Sequence, residues 1–599
     1  HSSPELFDAI SHKAMKRLDT FNSQGIANTL WVYAKVGHSS PELFDAFSHK
    51  AIQKLDTFSP QNIANTVWAY AKAGYTSPEL FDAFAPKVIE KLDTFNAQGI
   101  ANTMWAYANT RHSCPELFDA IADKVIEKLD TFNSQGISNT VWAYARVGHS
   151  SPKLFDAISQ KLMKTLDHFN SQNIVNTMWA YAKLDHSSPK LFDAISVKAM
   201  EKIDDFNSRD IANTMWAYAK VNHKSPKLFD ALSTKAIKNL DTFNSRDMAN
   251  TLWAYAKVGY ASPKLYTAMT TKIIEKLDLF NIQEIVNVMW AYARVGHKAP
   301  VLFDALSRKA MQKLDNINSQ GIANTVWAYA RVGHTSPELF DALSTKALEK
   351  LDTFNSQNIA NTVWAYAKVG HSSPELFDAI SPRAIEKLDT FNSQEMVTTV
   401  YAYAKIGHSS PKLFSAVLPK AMEKLDTFKS ISIANTVWAY AKVGLVSPDL
   451  FDAFAQKAIE KLDTFSSLSI ENTVWAYAEA GHSSPELFDA ISHKVKNIDT
   501  FNAQSIANTV WAYAKIGHAS SPELLDALSK IAVEKIETFD SEDIAKTKWA
   551  YEELERSTPE LFDALSQKEA ELFDALSQKV PEKLDTFNSQ GLANTVWAY

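Results

Sequence analysis

The 599-residue chain contains one cysteine, Cys114, so no disulfide can form within it and nothing points to an oxidising compartment. It contains no apolar run near the ~18 residues that a membrane-spanning helix needs. With 46% hydrophobic and 22% charged residues it reads as a soluble, folded chain rather than a disordered one. Phosphate-binding loops, nucleophile elbows and zinc-protease helices are all missing from the sequence. Catalysis and cofactor binding therefore have no residues to rest on, and the reading is of a non-enzyme. No signal or transit segment is seen at the start, but the chain begins at His1 inside a repeat and stops at Tyr599 inside another, as a fragment would.

What the chain does have is a period. Trp31, Trp68, Trp105, Trp142 and Trp179 are each 37 residues apart, and the step continues through Trp364, with Tyr401 in the next slot. A period between about 20 and 50 residues marks a repeat array, in which each unit buries its apolar side against its neighbours. Residues 337–373, PELFDALSTKALEKLDTFNSQNIANTVWAYAKVGHSS, typify the unit; repeat positions are counted from its proline. Ser336-Pro337 starts a first helix, with Ser as cap and Pro needing no donor. Leu339, Phe340, Leu343, Ala347, Leu348 and Leu351 share one side of it, and Glu338, Asp341, Thr345, Glu349 and Asp352 the other. Asn355 or Ser356 caps a second helix running to about Val369, and Gly370 supplies a left-handed exit. Asp185 and Asn222 can replace that glycine; Arg111 and Glu555 do not fit the rule.

The expected fold is all-α: an α-solenoid, or superhelix, of about 16 helix-turn-helix repeats of 37 residues. Residues 1–599 form one continuous array, with truncated repeat ends at 1–3 and 591–599. Residues 559–599 form an irregular last repeat, where ELFDALSQK recurs 11 residues on and lengthens the first helix by about three turns. The direction and amount of curvature are not fixed by this pattern.

On the second helix, positions 22, 25, 29 and 32 are spaced i, i+3, i+7 and i+10 and predict a shared stripe. Position 22 varies while its neighbours stay the same: Gly25, Asn62, Gly99, Gly136, Asn173, Asp210, Asp247, Glu284, Gly321, Asn358, Glu395, Ser432, Ser469, Ser505, Asp543 and Gly591. Position 25 is mostly Asn, as in Asn65, Asn102, Asn213, Asn324, Asn361 and Asn435, with Thr398 and Lys546 as exceptions. Small alanines such as Ala365 at position 29 would let a flat group approach. Position 32 is cationic in Lys35, Lys72, Arg146, Lys183, Lys220, Lys257, Arg294, Arg331, Lys368, Lys405, Lys442 and Lys515; Asn109, Glu479 and Glu553 depart from this. Such a stripe suits one-nucleotide-per-repeat readout, with position 22 and the Asn on base edges and the cation on phosphate. The competing explanation for position 22 is helix-start chemistry, since all its residue types suit a first turn.

The net charge of −7 is unusual for a nucleic-acid binder, but the acids gather on the first helix, so a positive stripe and a negative outer face can coexist. The histidines after the glycine, such as His149 and His371, lie one helix-pair layer apart, on the order of 10 Å, too far for shared metal ligation. The Trp-Ala-Tyr triplet reads as packing.

The string FxxQxxANxxWAYAKxG after a Pro-Glu-Leu helix, in 354–370 and its copies, resembles the octotricopeptide and heptatricopeptide repeat proteins of organelles. That group includes FAST-kinase-like proteins and a repeat subunit of the trypanosome RNA-editing substrate-binding complex; the 37-residue period is closest to the heptatricopeptide type. The resemblance implies a solenoid that binds single-stranded RNA in a mitochondrion or chloroplast. Its expected roles are mRNA maturation, stability, translation or ribosomal RNA assembly, with other proteins of an organellar ribonucleoprotein complex as further partners. Many relatives end in a RAP domain; none is visible here, and no kinase motif is present. The alternative is a protein-interaction scaffold of the tetratricopeptide or HEAT-like kind.

Overall fold

The computed structural model describes residues 4–494, 498–518, 522–556 and 558–583. The expected repeat ends at 1–3 and 591–599, with Gly591, lie outside the described residues. Thirty-one α-helices and no strand occur among the described residues, and none of these helices is long and apolar enough to cross a membrane. The architecture is the helical-pair array that the period predicts. Contacts divide the chain into two compact units, residues 1–312 and 313–599, each built from the same repeat.

In the type repeat, helix A spans Pro337–Glu349. It stops short of Leu351 because Lys350 leaves the helical region (φ −115°, ψ 12°), and Leu351–Thr353 forms a separate 3₁₀ turn. Leu348, expected on the apolar side, is 38% exposed. The Ser336 hydroxyl makes no cap hydrogen bond; the start of the helix is held by Pro337 and by the Phe340 N–H, which donates to the Ser336 carbonyl at 3.1 Å. Helix B spans Ser356–Val369, with Asn355 as its cap and Gly370 leaving at φ 69°.

Arg111 and Glu555, the two misfits at this exit, also adopt the left-handed conformation, at φ 57° and 49°, as do Asp185 and Asn222. The same backbone closure imposes it: the His112 N–H reaches the Tyr107 carbonyl at 2.9 Å, and the Arg556 N–H reaches Tyr551 at 3.0 Å. For a residue with a Cβ this conformation costs about 1–2 kcal/mol. At the 11-residue duplication helix A spans Pro559–Lys583.

Successive B helices pack against one another more extensively than successive A helices do. Alanines make this possible, because their small side chains shorten the interaxial distance. Ala360, Ala365 and Ala367 are 2%, 0% and 5% exposed. Ala365 and the equivalent alanines are therefore covered by a neighbouring repeat, which corrects the expectation of an open place at position 29.

Helix A is tied to helix B by a buried tyrosine at position 30. The Tyr366 hydroxyl donates to the Phe340 carbonyl at 2.7 Å, and Tyr107 does the same to Phe81 at 2.7 Å. Burial pushes the Tyr107 phenol well above its ordinary pKa. The recurring histidine completes this closure: His371 Nε2 lies 2.8 Å from Asp341 Oδ1, and its ring packs on Phe340 and Tyr366. Among the described residues, no group of three or more His, Cys, Asp or Glu could hold a metal. At His297 the matching carboxylate position is Thr267, and burial lowers the imidazole pKa.

Two bonds recur between A layers and the ones before them. Lysine at position 10 meets aspartate at position 16 of the preceding repeat, as in Lys50–Asp19 (2.6 Å), Lys272–Asp241 (2.7 Å) and Lys457–Asp426 (2.7 Å). Lysine at position 14 donates to the backbone carbonyl just before the preceding helix B, as from Lys91 to Phe58 at 2.7 Å and from Lys424 to Phe391 at 2.7 Å.

The lysine hydrogen bond and charge hold Asp19, Asp56, Asp93, Asp130, Asp241 and Asp426 below the usual carboxylate range. A depressed folded-state pKa contributes stability above the unfolded value of ~3.9 that is lost as pH falls through the lower folded value. These pairs are exposed, so screening keeps each contribution small. Acid titration followed by circular dichroism should therefore show helix loss setting in below about pH 4. Replacing several of these aspartates with Asn should reduce the part of stability that varies in that window; an unchanged acid profile would contradict the ladder's role.

Candidate nucleic-acid interface

One side of the B layer is left open after this packing, but it is not the predicted stripe. Positions 21, 25, 28 and 32, spaced i, i+4, i+7 and i+11, share it. In the type repeat Gln357 and Lys368 are exposed, and Asn361 and Trp364 are half-exposed.

Position 22 is the third residue of helix B and faces its own cap. The Asn355 side chain accepts from the Asn358 N–H at 2.8 Å, and Asn358 Oδ1 accepts from the Asn355 N–H at 3.3 Å. The same reciprocal capping box forms at Asn173, Asp210, Glu284 and Glu395. Asn173, Asp247, Asn358, Ser432, Ser469, Ser505 and Asp543 are 2–7% exposed. Gly136 and Gly321 are buried, while Gly25, Asn62, Gly99, Asp210, Glu284 and Glu395 are half-buried.

A Cβ on Gly99 would sit 3.2 Å from Phe95 and from the Asn96 cap; one on Gly321 would sit 2.8 Å from Ile317. The restricted alphabet at position 22 thus has a local cause, hydrogen bonding or yielding to the cap, which corrects its assignment as the base-reading position. Burial at Asp210 and Asp247 raises their carboxyl pKa.

The other predicted residues lie on the open side. Asn65, Asn102, Asn213, Asn324, Asn361 and Asn435 are half-exposed, and the twelve predicted cations from Lys35 to Lys515 are all exposed. Lys220 pairs with Asp185 at 2.8 Å. Lys405 has its pKa lowered by partial burial and then by the charge of Lys368 in the adjacent layer, so successive layers bring like charges together. At the missing cation, Asn109 instead donates to the Ala71 carbonyl at 2.9 Å.

Tryptophan was read as packing, yet it belongs to this face. Trp31–Trp68 and Trp68–Trp105 ring centroids are 6.3 and 6.5 Å apart, and Trp438–Trp475 are 6.0 Å apart. Cations lie over these rings, with Lys35 4.4 Å from the Trp31 centroid and Lys442 5.8 Å from that of Trp475. The missed signal was the i, i+4 relation of Trp to the cation. Position 21 was also missed: Gln in most repeats, Arg209 and Arg246 in two, and Ile431 and Leu468 in two more.

Toward the C-terminus the face changes. Buried Glu471 accepts from the Ser505 hydroxyl at 2.5 Å and from the Asn508 amide at 2.7 Å, and Lys546 donates to Asn508 at 3.0 Å. The Asn508 amide is thereby occupied from within.

An array of helical pairs with an aligned ladder of Trp, Asn and cations is a helical-repeat binding protein. A family model described as RNA-editing substrate-binding complex 6 protein (RESC6) matches residues 2–152, 114–260, 144–296, 253–393, 379–496 and 491–598, and the chain belongs to this family. No curated protein matches it. Similar solved structures include the pentatricopeptide repeat protein PPR10 in complex with an 18-nt psaJ RNA element, at 13% identity over 94% of this chain and 89% of that one, TM-score 0.33. PPR10 from maize matches at 12% identity over 97% and 96%, TM-score 0.30. A homology model of the full-length AP-3 complex matches at 12% over 93% and 94%, TM-score 0.26. Likenesses this loose carry no argument about ligand.

If position 22 serves the cap, Asn355→Ala should cost about 1 kcal/mol locally. The Asn358 amide should then exchange with solvent about fivefold faster, with amides of distant repeats unchanged. Uniform loosening of the chain would show that the cap is not local.

Proposed function

We propose that the chain binds single-stranded RNA along the B-helix layer, in mitochondrial RNA processing, stability or translation, as a binder without catalytic activity. The observation that carries this reading is a contrast between cations. Lysines of the A layer are paired with aspartates of the preceding repeat, whereas those at position 32 mostly point to solvent beside half-exposed tryptophans. Unpaired cations beside aromatic faces suit phosphates and bases. Membership in a family described by RNA-editing substrate binding supports the ligand and favours the mitochondrion; it offers no support for the chloroplast or for the FAST-kinase-like relation.

Within this reading, Asn at position 25 and the residue at position 21 address base edges, tryptophan stacks, and position 32 meets phosphate. Position 22 tunes the helix start from beneath. Repeats beyond Ile431 favour a protein partner instead. Ile431 and Leu468 expose 37% and 52% of their surface where Gln stands elsewhere, and Glu479 and Glu553 replace the cation.

Replacing Arg331, Lys368 and Lys405 with Ala should reduce the log–log salt slope for single-stranded RNA by about two and weaken all sequences alike. Selection from random RNA pools separates the readout positions. Asn361→Ser and Gln357→Glu should each change the preferred sequence locally, at about 1–3 kcal/mol per mismatch by analogy with duplex readout. Asn358→Asp should leave the preference unaltered. A pool shifted by Asn358→Asp alone would return base readout to position 22, and salt-insensitive binding would favour the protein scaffold.

A further inference from the structure

One stretch of the first unit departs from the repeat pattern at several places, and these departures converge. Arg111 occupies the left-handed exit at φ 57° where glycine is usual, and Arg209 and Arg246 replace the usual Gln at position 21. In the second unit position 21 holds Gln320, Gln357, Gln394, Ile431, Leu468, Gln504 and Glu542, none of them cationic. Arg111, Arg209 and Arg246 line a single recess of about 770 Å³ together with Arg146 and Lys183.

The recess is a product of coiling. Arg111, Arg146 and Lys183 come from the C-terminal ends of three successive B helices. Arg209 and Arg246 come from the first turns of the next two, Ser208–Lys220 and Ser245–Val258. Winding of this unit sets one group of ends across from the other, and the two helix starts add their own positive dipole ends. Trp179, Trp216, Asn213 and Asn250 complete the walls. Among the described residues none of the five cations forms an ion pair. The carboxylate in the lining, Asp247, is buried, 3.5 Å from the Ser208 hydroxyl, and its charge also interacts with Arg209 and Arg246.

We infer that this recess binds a cluster of phosphates, denser than the backbone of an extended strand provides. The inference rests on the RNA-binding reading and adds to it a fixed anchoring point. A space of this size suits one small ligand; a strand following the repeats one nucleotide at a time would meet these five cations singly, whereas their convergence on one space gathers them around a compact anion. Arginine, which supplies three of the five, grips phosphate oxygens in pairs, and the two tryptophans offer a face to the attached base. Two sources share this chemistry: a 5′-polyphosphate end of the RNA, or a backbone folded sharply enough to gather its phosphates.

The test compares the parent chain with the Arg209→Gln, Arg246→Gln double variant; Gln is the residue neighbouring repeats carry, so the helix starts are retained. Calorimetric titration with inorganic tripolyphosphate, without RNA, reads the recess by itself. The parent should bind, and the variant should bind about tenfold more weakly. RNAs of one sequence with 5′-triphosphate, 5′-monophosphate or 5′-hydroxyl ends then separate the sources. A triphosphate preference abolished in the variant assigns the end. Equal binding of all three, displaced by tripolyphosphate and weakened in the variant, assigns a folded backbone. Lack of tripolyphosphate binding by the parent, or equal binding by both proteins, overturns the inference. Tripolyphosphate binding without any RNA binding would count against the RNA reading and leave the recess standing.

Discussion

Close contact between successive B helices is the constraint on which the remaining features depend. Alanines at positions 24, 29 and 31 leave little side-chain bulk between layers, so Ala365 is fully buried and a neighbouring B helix packs directly on it. With that side committed and the tyrosine at position 30 tied to helix A, only positions 21, 25, 28 and 32 remain for solvent. The binding face is what the packing leaves over. Its close layer spacing also brings tryptophan centroids of neighbouring repeats within 6.0–6.5 Å, pairing rings at these places that are individually half-covered.

Charge is divided between the layers by the same geometry. On the A side, lysine and aspartate sit at the same height in adjacent repeats and neutralise one another. On the B side, lysine follows tryptophan by one turn and meets lysine of the next layer, as Lys405 meets Lys368. A chain with a net charge of −7 can therefore present a cationic face, because much of its acid is spent on holding the outer layer together. Such a face is held in mutual repulsion until an anion relieves it.

Several features of the fold were legible in the residues themselves. Proline at helix A, asparagine before helix B and glycine after it act through their own backbone neighbours, so the exit at Gly370 could be read directly and the cap narrowed to Asn355 or Ser356, of which Asn355 is the one. The face was legible only in part. Asn361, half-exposed, and Lys368, exposed, lie on the open side, but Asn358 and Ala365 were assigned to it and are buried. The error has a physical origin: residues three apart on a helix differ by about 60° in direction, and a stripe drawn through positions 22 and 29 lies one residue off a stripe drawn through 21 and 28. Composition could not choose between them, because Trp364 looks like core and Asn358 looks like surface.

The sequence by itself determined the helical pairs, their period, their caps and the residue types available to the open side, all consequences of interactions within one repeat or between adjacent ones. Tertiary structure alone decided which side of helix B is covered, and it alone brought Arg111 and Arg246 to one recess. The reason is accumulation. A small rotation between one repeat and the next is set by side-chain packing too fine to read from residue types, and summed over several repeats it determines which distant residues meet.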